Sequence, residues 1–284
     1  MGTLVKEILE SDFKRKNLHN YKLFVLVGMD SFVLSFADEN GVLQALKSRV
    51  FEKPVNLKNQ LAKAFEEEKQ LLQQPFKNVK IGFFTPYFTL VPERLFNANE
   101  LPHYLANLSP VTAADKLYSS HLSFLSAQLV YVVPAELIDL FQGNFKNPEF
   151  CHALEAMLSV THVAARQKGG NQVFVNFRGE FLDVIYYDDG ALIFCNSSRV
   201  ETAKDILYFT MLVFDQFKLS AEDAQVHFSG SFLENSDIFS QLSRYIRNVH
   251  FMENPDGIVL GEKMQREPKH FFLDSLALIL YNKS

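Results

Sequence analysis

Three glycine-bearing turns hold the residues of this chain best suited by type and spacing to do chemistry. They are Val27-Gly28-Met29-Asp30-Ser31, Asn176-Phe177-Arg178-Gly179-Glu180 and Phe228-Ser229-Gly230-Ser231. Asp30 supplies a carboxylate that could reach a metal ion, with a hydroxyl beside it. The same Asp and Ser suit the ordinary hydrogen bonds of a hairpin turn, which is the plainer use. Arg178 could contact an anion, but Glu180 two residues on would repel one, and both side chains also suit solvent. Ser229-Gly230-Ser231 has the form of a strand-to-helix glycine turn, a feature of many α/β proteins.

Other chemistry finds little support. The eight histidines are scattered, with no HxxxH or HExxH among them. His152 and His162 stand too far apart on one helical segment to share a metal from one face. Neither G-x-S-x-G nor GxxxxGK[ST] occurs, so a nucleophile elbow and a P-loop are not indicated. Cys151 and His152 are adjacent, but neighbours in a strand point to opposite faces, which argues against a dyad.

Composition narrows the class. The 284 residues allow one large domain or two ordinary ones, and 48% hydrophobic residues suffice for a substantial core. Twenty-eight Phe and no Trp predict a core filled largely with phenylalanine. A net charge of −5 gives no indication of a broad basic face for nucleic acid. Two cysteines without CxxC spacing suit a reducing, cytoplasmic setting. Apolar runs are strand-sized, well short of the roughly 20 residues of a membrane helix. The first residues, MGTLVKEILESDFKRK, place their basic cluster after the apolar ones and do not read as a signal peptide.

The turns must be held by a repeated framework. Lys22–Phe51 reads as three short strands in meander order, with a helix from Leu57. Asn171–Ser198 reads the same way, with a helix from Ala203. In the first copy Leu23–Val27 is apolar on both faces, as a central strand is. Asp38-Glu39-Asn40-Gly41 and Asp188-Asp189-Gly190 are the matching hairpins. Asn56 suits a helix cap, and Thr202 with Asp205 three residues on predicts a capping box. Further strands are expected at Val79–Phe84, Tyr87–Val91, Ala127–Val133, Ala224–Phe228 and Val249–Met252, with helices over Ala135–Phe145 and around Ile238–Arg247. Residues 1–20 read as irregular or as an edge segment. Pro268 opens a final helix carrying Phe272, Leu276, Ile279 and Leu280.

The stretch VNFRGEFLDVIYYDDGALIF with RVETAKDILYFTMLVF resembles the second subdomain of actin-like ATPases, the PilM-like proteins above all. The whole chain is similar to an uncharacterised bacterial family of that fold, the fold of actin, DnaK-type chaperones and sugar kinases. The resemblance implies that one hairpin turn in each half grips phosphate, each carrying an Asp followed by Gly and a hydroxyl residue. The carboxylate would organise Mg²⁺ and water, and the glycine would let backbone N–H groups approach phosphate oxygens. A third, glycine-rich turn would pack on the adenosine.

This sequence departs from that pattern. The first turn has Asp30 and Ser31 but not the Asp-first order. In the second, Asn176 stands where the Asp belongs, and Asn binds Mg²⁺ poorly and cannot act as a base. Phe177-Arg178 fills the neighbourhood of the first glycine. The third keeps one glycine of the usual pair.

The expectation is therefore an α/β protein of duplicated actin-like, ribonuclease H-like domains, with mixed sheets flanked by helices. Subdomain I spans 1–148, with the C-terminal helix 266–284 packing back on it, and subdomain II spans 149–265. The candidate cofactor-binding residues are Asp30, Ser31, Asn176, Arg178, Gly179, Ser229, Gly230 and Ser231, with no metal site and no catalytic residue assigned. The leading function is a non-catalytic interaction or scaffold module with a degenerate nucleotide cleft, requiring no cofactor and binding another protein. The alternative is an atypical nucleotide-binding ATPase or kinase that uses ATP and Mg²⁺ in the interdomain cleft.

Overall fold

The structure, a computed structural model, describes residues 3–51, 56–108, 111–230 and 237–282. They fall into two units. The first comprises Met1–Ala156, Gly257–Arg266 and Leu278–Ser284; the second comprises Met157–Asp256 and Glu267–Ala277. The expected boundary at 148 follows the Asn144–Pro148 break, but the strand Glu149–His152 after it hydrogen-bonds to Asn78–Phe83 of the first unit. The segment 266–284, expected with the first half, is divided between the two units.

The first unit begins with β1 (Thr3–Leu9), then the meander β2 (Lys22–Val27), β3 (Ser31–Ala37) and β4 (Val42–Val50), then the helices α1 (Leu57–Glu67) and α2 (Lys69–Leu72). Next come β5 (Asn78–Phe83), β6 (Phe88–Pro92), α3 (Leu101–Leu105), β7 (Asp115–Leu122), β8 (Ala127–Pro134), α4 (Ala135–Asn144) and β9 (Glu149–His152). The main sheet has the order β1-β4-β3-β2-β5-β9, and a short strand, Val259–Leu260, also pairs with β4. β2 runs antiparallel to β3 and parallel to β5. A separate sheet has the order β6-β8-β7.

Leu23 through Val27 are all buried, as a central strand covered on both faces requires. The core is phenylalanine-rich as composition predicts. Phe65 and Phe83 each meet Phe141 edge-on, with ring centroids 5.3 and 5.5 Å apart. Asn56 caps α1 by accepting from the Asn59 N–H at 3.0 Å.

α5 (Ala153–Lys168) leads to the second unit's meander, β10 (Asn171–Arg178), β11 (Phe181–Asp188) and β12 (Ala191–Arg199). After it come α6 (Ala203–Phe217), β13 (Gln225–Gly230), α7 (Asp237–Leu242), β14 (Asn248–Phe251) and α8 (Leu273–Leu280). The sheet order is β12-β11-β10-β13-β14. Position for position this repeats β4-β3-β2-β5-β9, including the senses of pairing: β10 is antiparallel to β11 and parallel to β13. The predicted capping box forms at α6, where Thr202 and Asp205 each accept the other's backbone N–H.

Val173, Val175, Val184, Val226 and Phe228 pack with Ile206, Val213 and Phe214 of α6 in one core. Among the described residues, no helix is long and apolar enough to cross a membrane.

Candidate functional site

In the second unit the candidate turns lie at adjacent strand ends, because β10 and β13 run parallel and in register. Asn176 lies opposite Ser229, and Phe177 opposite Gly230. The Ser229 hydroxyl donates to Asn176 Oδ1 at 2.7 Å. The Asn176 amide donates to Asp274 Oδ1 at 3.0 Å and, at 3.5 Å, to Asp183 Oδ2. Asp183 sits directly across from Asn176 in the β10–β11 ladder.

Arg178 completes the cluster. Its Nε donates to Asp274 Oδ2 at 2.9 Å and its Nη2 to Asp274 Oδ1 at 2.5 Å. That two-point fork is the geometry guanidinium uses for carboxylates and phosphates alike. Nη2 also lies 3.3 Å from Asp183 Oδ2, and the Ser197 hydroxyl donates to Asp183 Oδ1. Asp274 comes from the first turn of α8.

These groups are out of water: Asn176 is 1% exposed, Ser229 2% and Arg178 9%. Of the two uses open to Arg178, anion contact or solvent, the buried side chain takes the first. An anion does meet it, and that anion belongs to the protein. Burial pulls the guanidinium's pKa down, but Asp274 and Asp183 outweigh it and hold Arg178 above the ordinary arginine value. Burial also raises Asp183 above the usual carboxylate range, against the opposing pull of Arg178 and Ser197.

The glycines here answer to backbone geometry. Gly230 has φ +99°, and a Cβ on it would stand 2.0 Å from the Phe177 carbonyl oxygen. Only glycine lets the two parallel strand ends come this close. Gly179, φ +59°, turns the chain between β10 and β11. Glu180, in that turn, pairs with Arg199 at the end of β12 at 3.2 Å. Ser231 lies outside the described residues.

In the first unit the β2–β3 turn is a tight reversal, in which the Gly28 N–H donates to the Ser31 carbonyl at 2.8 Å. A Cβ on Gly28 would lie 2.8 Å from the Ser31 hydroxyl oxygen. Asp30 is half-buried, and its main-chain carbonyl accepts from the Phe51 N–H at 2.7 Å. Among the described residues no group of three or more His, Cys, Asp or Glu could hold a metal ion.

A cavity of about 230 Å³ lies beside this turn, where β2 and β5 end. Val27, Phe83, Val132 and Leu137 are among its apolar walls, and Thr85, Asp115 and Glu136 contribute polar groups. None of its lining residues is basic. The C-terminal ends of parallel strands are where open α/β sheets place ligands, but this lining offers a phosphate no cation.

The Thr85 backbone beside the cavity is held by fully buried His152. Its Nδ1 accepts from the Leu154 N–H at 3.1 Å, and its Nε2 lies 2.9 Å from the Thr85 carbonyl and 3.3 Å from the Thr85 N–H. Glu155 accepts from the His152 backbone N–H and from the Tyr281 hydroxyl, each at 2.8 Å. Cys151 Sγ points instead to the Ile81 carbonyl at 3.8 Å, so the adjacent Cys and His form no dyad.

The sequence reading missed Asp274, Asp183 and Ser197. Asp183 had a local signal: a lone acid inside the apolar run Phe181–Tyr187, facing Asn176 in any in-register hairpin. Asp274 had none, since its partners lie 96 and 98 positions earlier.

The family model described as "Protein of unknown function (DUF3822)" matches residues 10–249. No curated protein matches the sequence. Among solved structures, a Bacteroides thetaiotaomicron VPI-5482 protein described as having an actin-like ATPase fold and unknown function is similar, with a TM-score of 0.82 at 16% identity. The alignment covers 95% of this chain and 99% of that one. A chain of a PilM-PilN type IV pilus biogenesis complex is similar with a TM-score of 0.65 at 13% identity, covering 91% of this chain and 97% of that one.

Proposed function

Because this chain belongs to the DUF3822 family and has the actin-like ATPase fold, we propose that it is a non-catalytic interaction or scaffold module whose nucleotide cleft is degenerate. One observation carries this reading. At the second unit's turn, where the fold's pattern calls for phosphate-gripping groups, Asn176 and Arg178 are buried and committed to Asp274. A phosphate would have to displace the Asp274 carboxylate from a two-point ion pair with a buried guanidinium.

The first unit supports the same reading. Its strand-end cavity is mainly apolar and carries carboxylates rather than cations. Such a lining suits an apolar side chain of a partner protein better than a triphosphate. The similar PilM structure is a complex with a second protein, PilN, which is in keeping with a role in assembly. On this reading the chain needs no cofactor, its partner is another protein rather than nucleic acid, and it works in the cytoplasm.

Isothermal titration with ATP·Mg²⁺, paired with a phosphate-release assay, tests the proposal. Neither heat of binding nor turnover is expected. Robust turnover that disappears in Asp30→Ala would overturn it and favour an atypical ATPase or kinase.

A further inference from the structure

The outer side of α6 sets two large apolar residues, Tyr208 and Leu212, among exposed Lys204, Asp215 and Gln216. Ile206, Thr210, Val213 and Phe214 face the core. Lys204, Leu207, Tyr208, Met211, Leu212 and Asp215 line a shallow groove on the outside, in which Leu207 and Met211 are half-buried and also pack on the core. Tyr208 is 61% exposed and Leu212 43%. A solvent-facing helical stripe normally carries charged or polar residues at such positions.

The two charges close the stripe at opposite ends, and each opposes the helix dipole. Lys204 is in the first turn, where the partial charge is positive, and Asp215 is in the last, where it is negative. Both are exposed. Asp215 has an i,i+3 contact to Lys218 at 3.1 Å, with both side chains about 80% exposed, so that pair stabilises little. Nothing within the helix accounts for this placement.

A second copy of the helix, laid antiparallel, does account for it. A two-fold axis crossing α6 between Phe209 and Thr210 sets Lys204 opposite Asp215 of the other copy, Leu207 opposite Leu212, and Tyr208 opposite Met211. All six groove residues then find partners, and both ion pairs form twice-related across the axis. The helix dipoles also run head to tail. A parallel arrangement would bring Lys204 onto Lys204 and Asp215 onto Asp215.

We infer that the outer face of α6 is a self-association surface, on which two copies of this chain meet in an antiparallel, two-fold helix pair. One helix pair of this length buries less than a standard interface, so the dimer is weak and concentration-dependent.

Sedimentation velocity of the full chain, from low micromolar to several hundred micromolar, tests this. The wild type is expected to approach twice the monomer mass. Lys204→Asp and Asp215→Lys each place two like-charged pairs across the axis and weaken association about tenfold. The double variant Lys204→Asp/Asp215→Lys regains wild-type association to within about threefold. Tyr208→Ser, with unchanged melting temperature, also weakens it. The inference is overturned if the wild type stays monomeric throughout. It is equally overturned if the dimer ignores the single charge reversals, or if the double variant associates no better than either single one.

Discussion

Arg178 and Asp274, 96 residues apart in sequence, meet through two hydrogen bonds of 2.9 and 2.5 Å in the second unit, the guanidinium buried and the carboxylate half-buried. The pair ties the end of β10 to the first turn of α8. It also spends the one cationic side chain that the second turn could have offered to a ligand.

Asp274→Ala leaves the Arg178 charge buried with Asp183 as its remaining carboxylate contact. The expected loss is about 3–5 kcal/mol of unfolding free energy, read from urea titrations. A loss within about 0.5 kcal/mol, typical of surface substitutions, would mean that the pair is not buried in solution.

Two glycines should respond in opposite directions. Gly230→Ala drives a Cβ onto the Phe177 carbonyl at 2.0 Å and strains φ at +99°. A destabilisation of roughly 2 kcal/mol or more is expected. Gly143, in α4, has open space where its Cβ would go, so Gly143→Ala should stabilise by up to about 1 kcal/mol. Thermal melts of the two variants check both signs.

His227 makes stability depend on pH. Burial, helped by the nearby charges of Lys168 and His250, pushes its pKa down to about 3, from 6.5 in the unfolded chain. It stays neutral, hydrogen-bonded to Gln172 at 2.7 Å and stacked on Phe174. Between those two values the unfolded chain binds a proton that the folded chain does not, so stability falls as pH drops from about 6.5 toward about 3. Asp183, raised by burial, contributes a slope of the opposite sign at acid pH. The comparison must therefore be of wild type with His227→Gln. The variant's urea midpoint should fall less over that window; identical profiles would assign the slope elsewhere.

Two further predictions accompany the proposals above: no heat of binding or turnover with ATP·Mg²⁺, and the rescue of Lys204→Asp association by Asp215→Lys.

The repeat was legible because it is written in local periods. The fully apolar run Leu23–Val27, the Asp38–Gly41 and Asp188–Gly190 hairpins and the Thr202 capping box each depend on residues a few positions apart. The meander order of the three strands, with a helix behind, followed from reading the same succession twice. β1 was left open as irregular or edge because its stability comes from pairing with β4, some forty positions later. The carboxylate that Arg178 meets was illegible for a related reason. An arginine at a hairpin normally reaches water, and what pulls it inward is a carboxylate that only the folded chain brings near. The glycine at 230 reads in the sequence as a strand-to-helix turn, and its φ and the Phe177 carbonyl give a structural reason for glycine there.

The strand Val259–Leu260 extends the first unit's sheet by pairing with β4, and nearby the Glu10 carboxylate accepts from the backbone N–H groups of Lys263 and Met264, more than 250 positions downstream. A chain made from its N-terminus therefore starts this sheet first and closes it last. The five strands of the second sheet have all been synthesised by Phe251. Both units nevertheless wait for late residues, the first for the strand at its edge and the second for Glu267–Ala277, which carries Asp274. A nascent chain stalled just short of Val259 should accordingly lack full protease resistance in either unit, and gain it in both once Leu280 is clear of the ribosome.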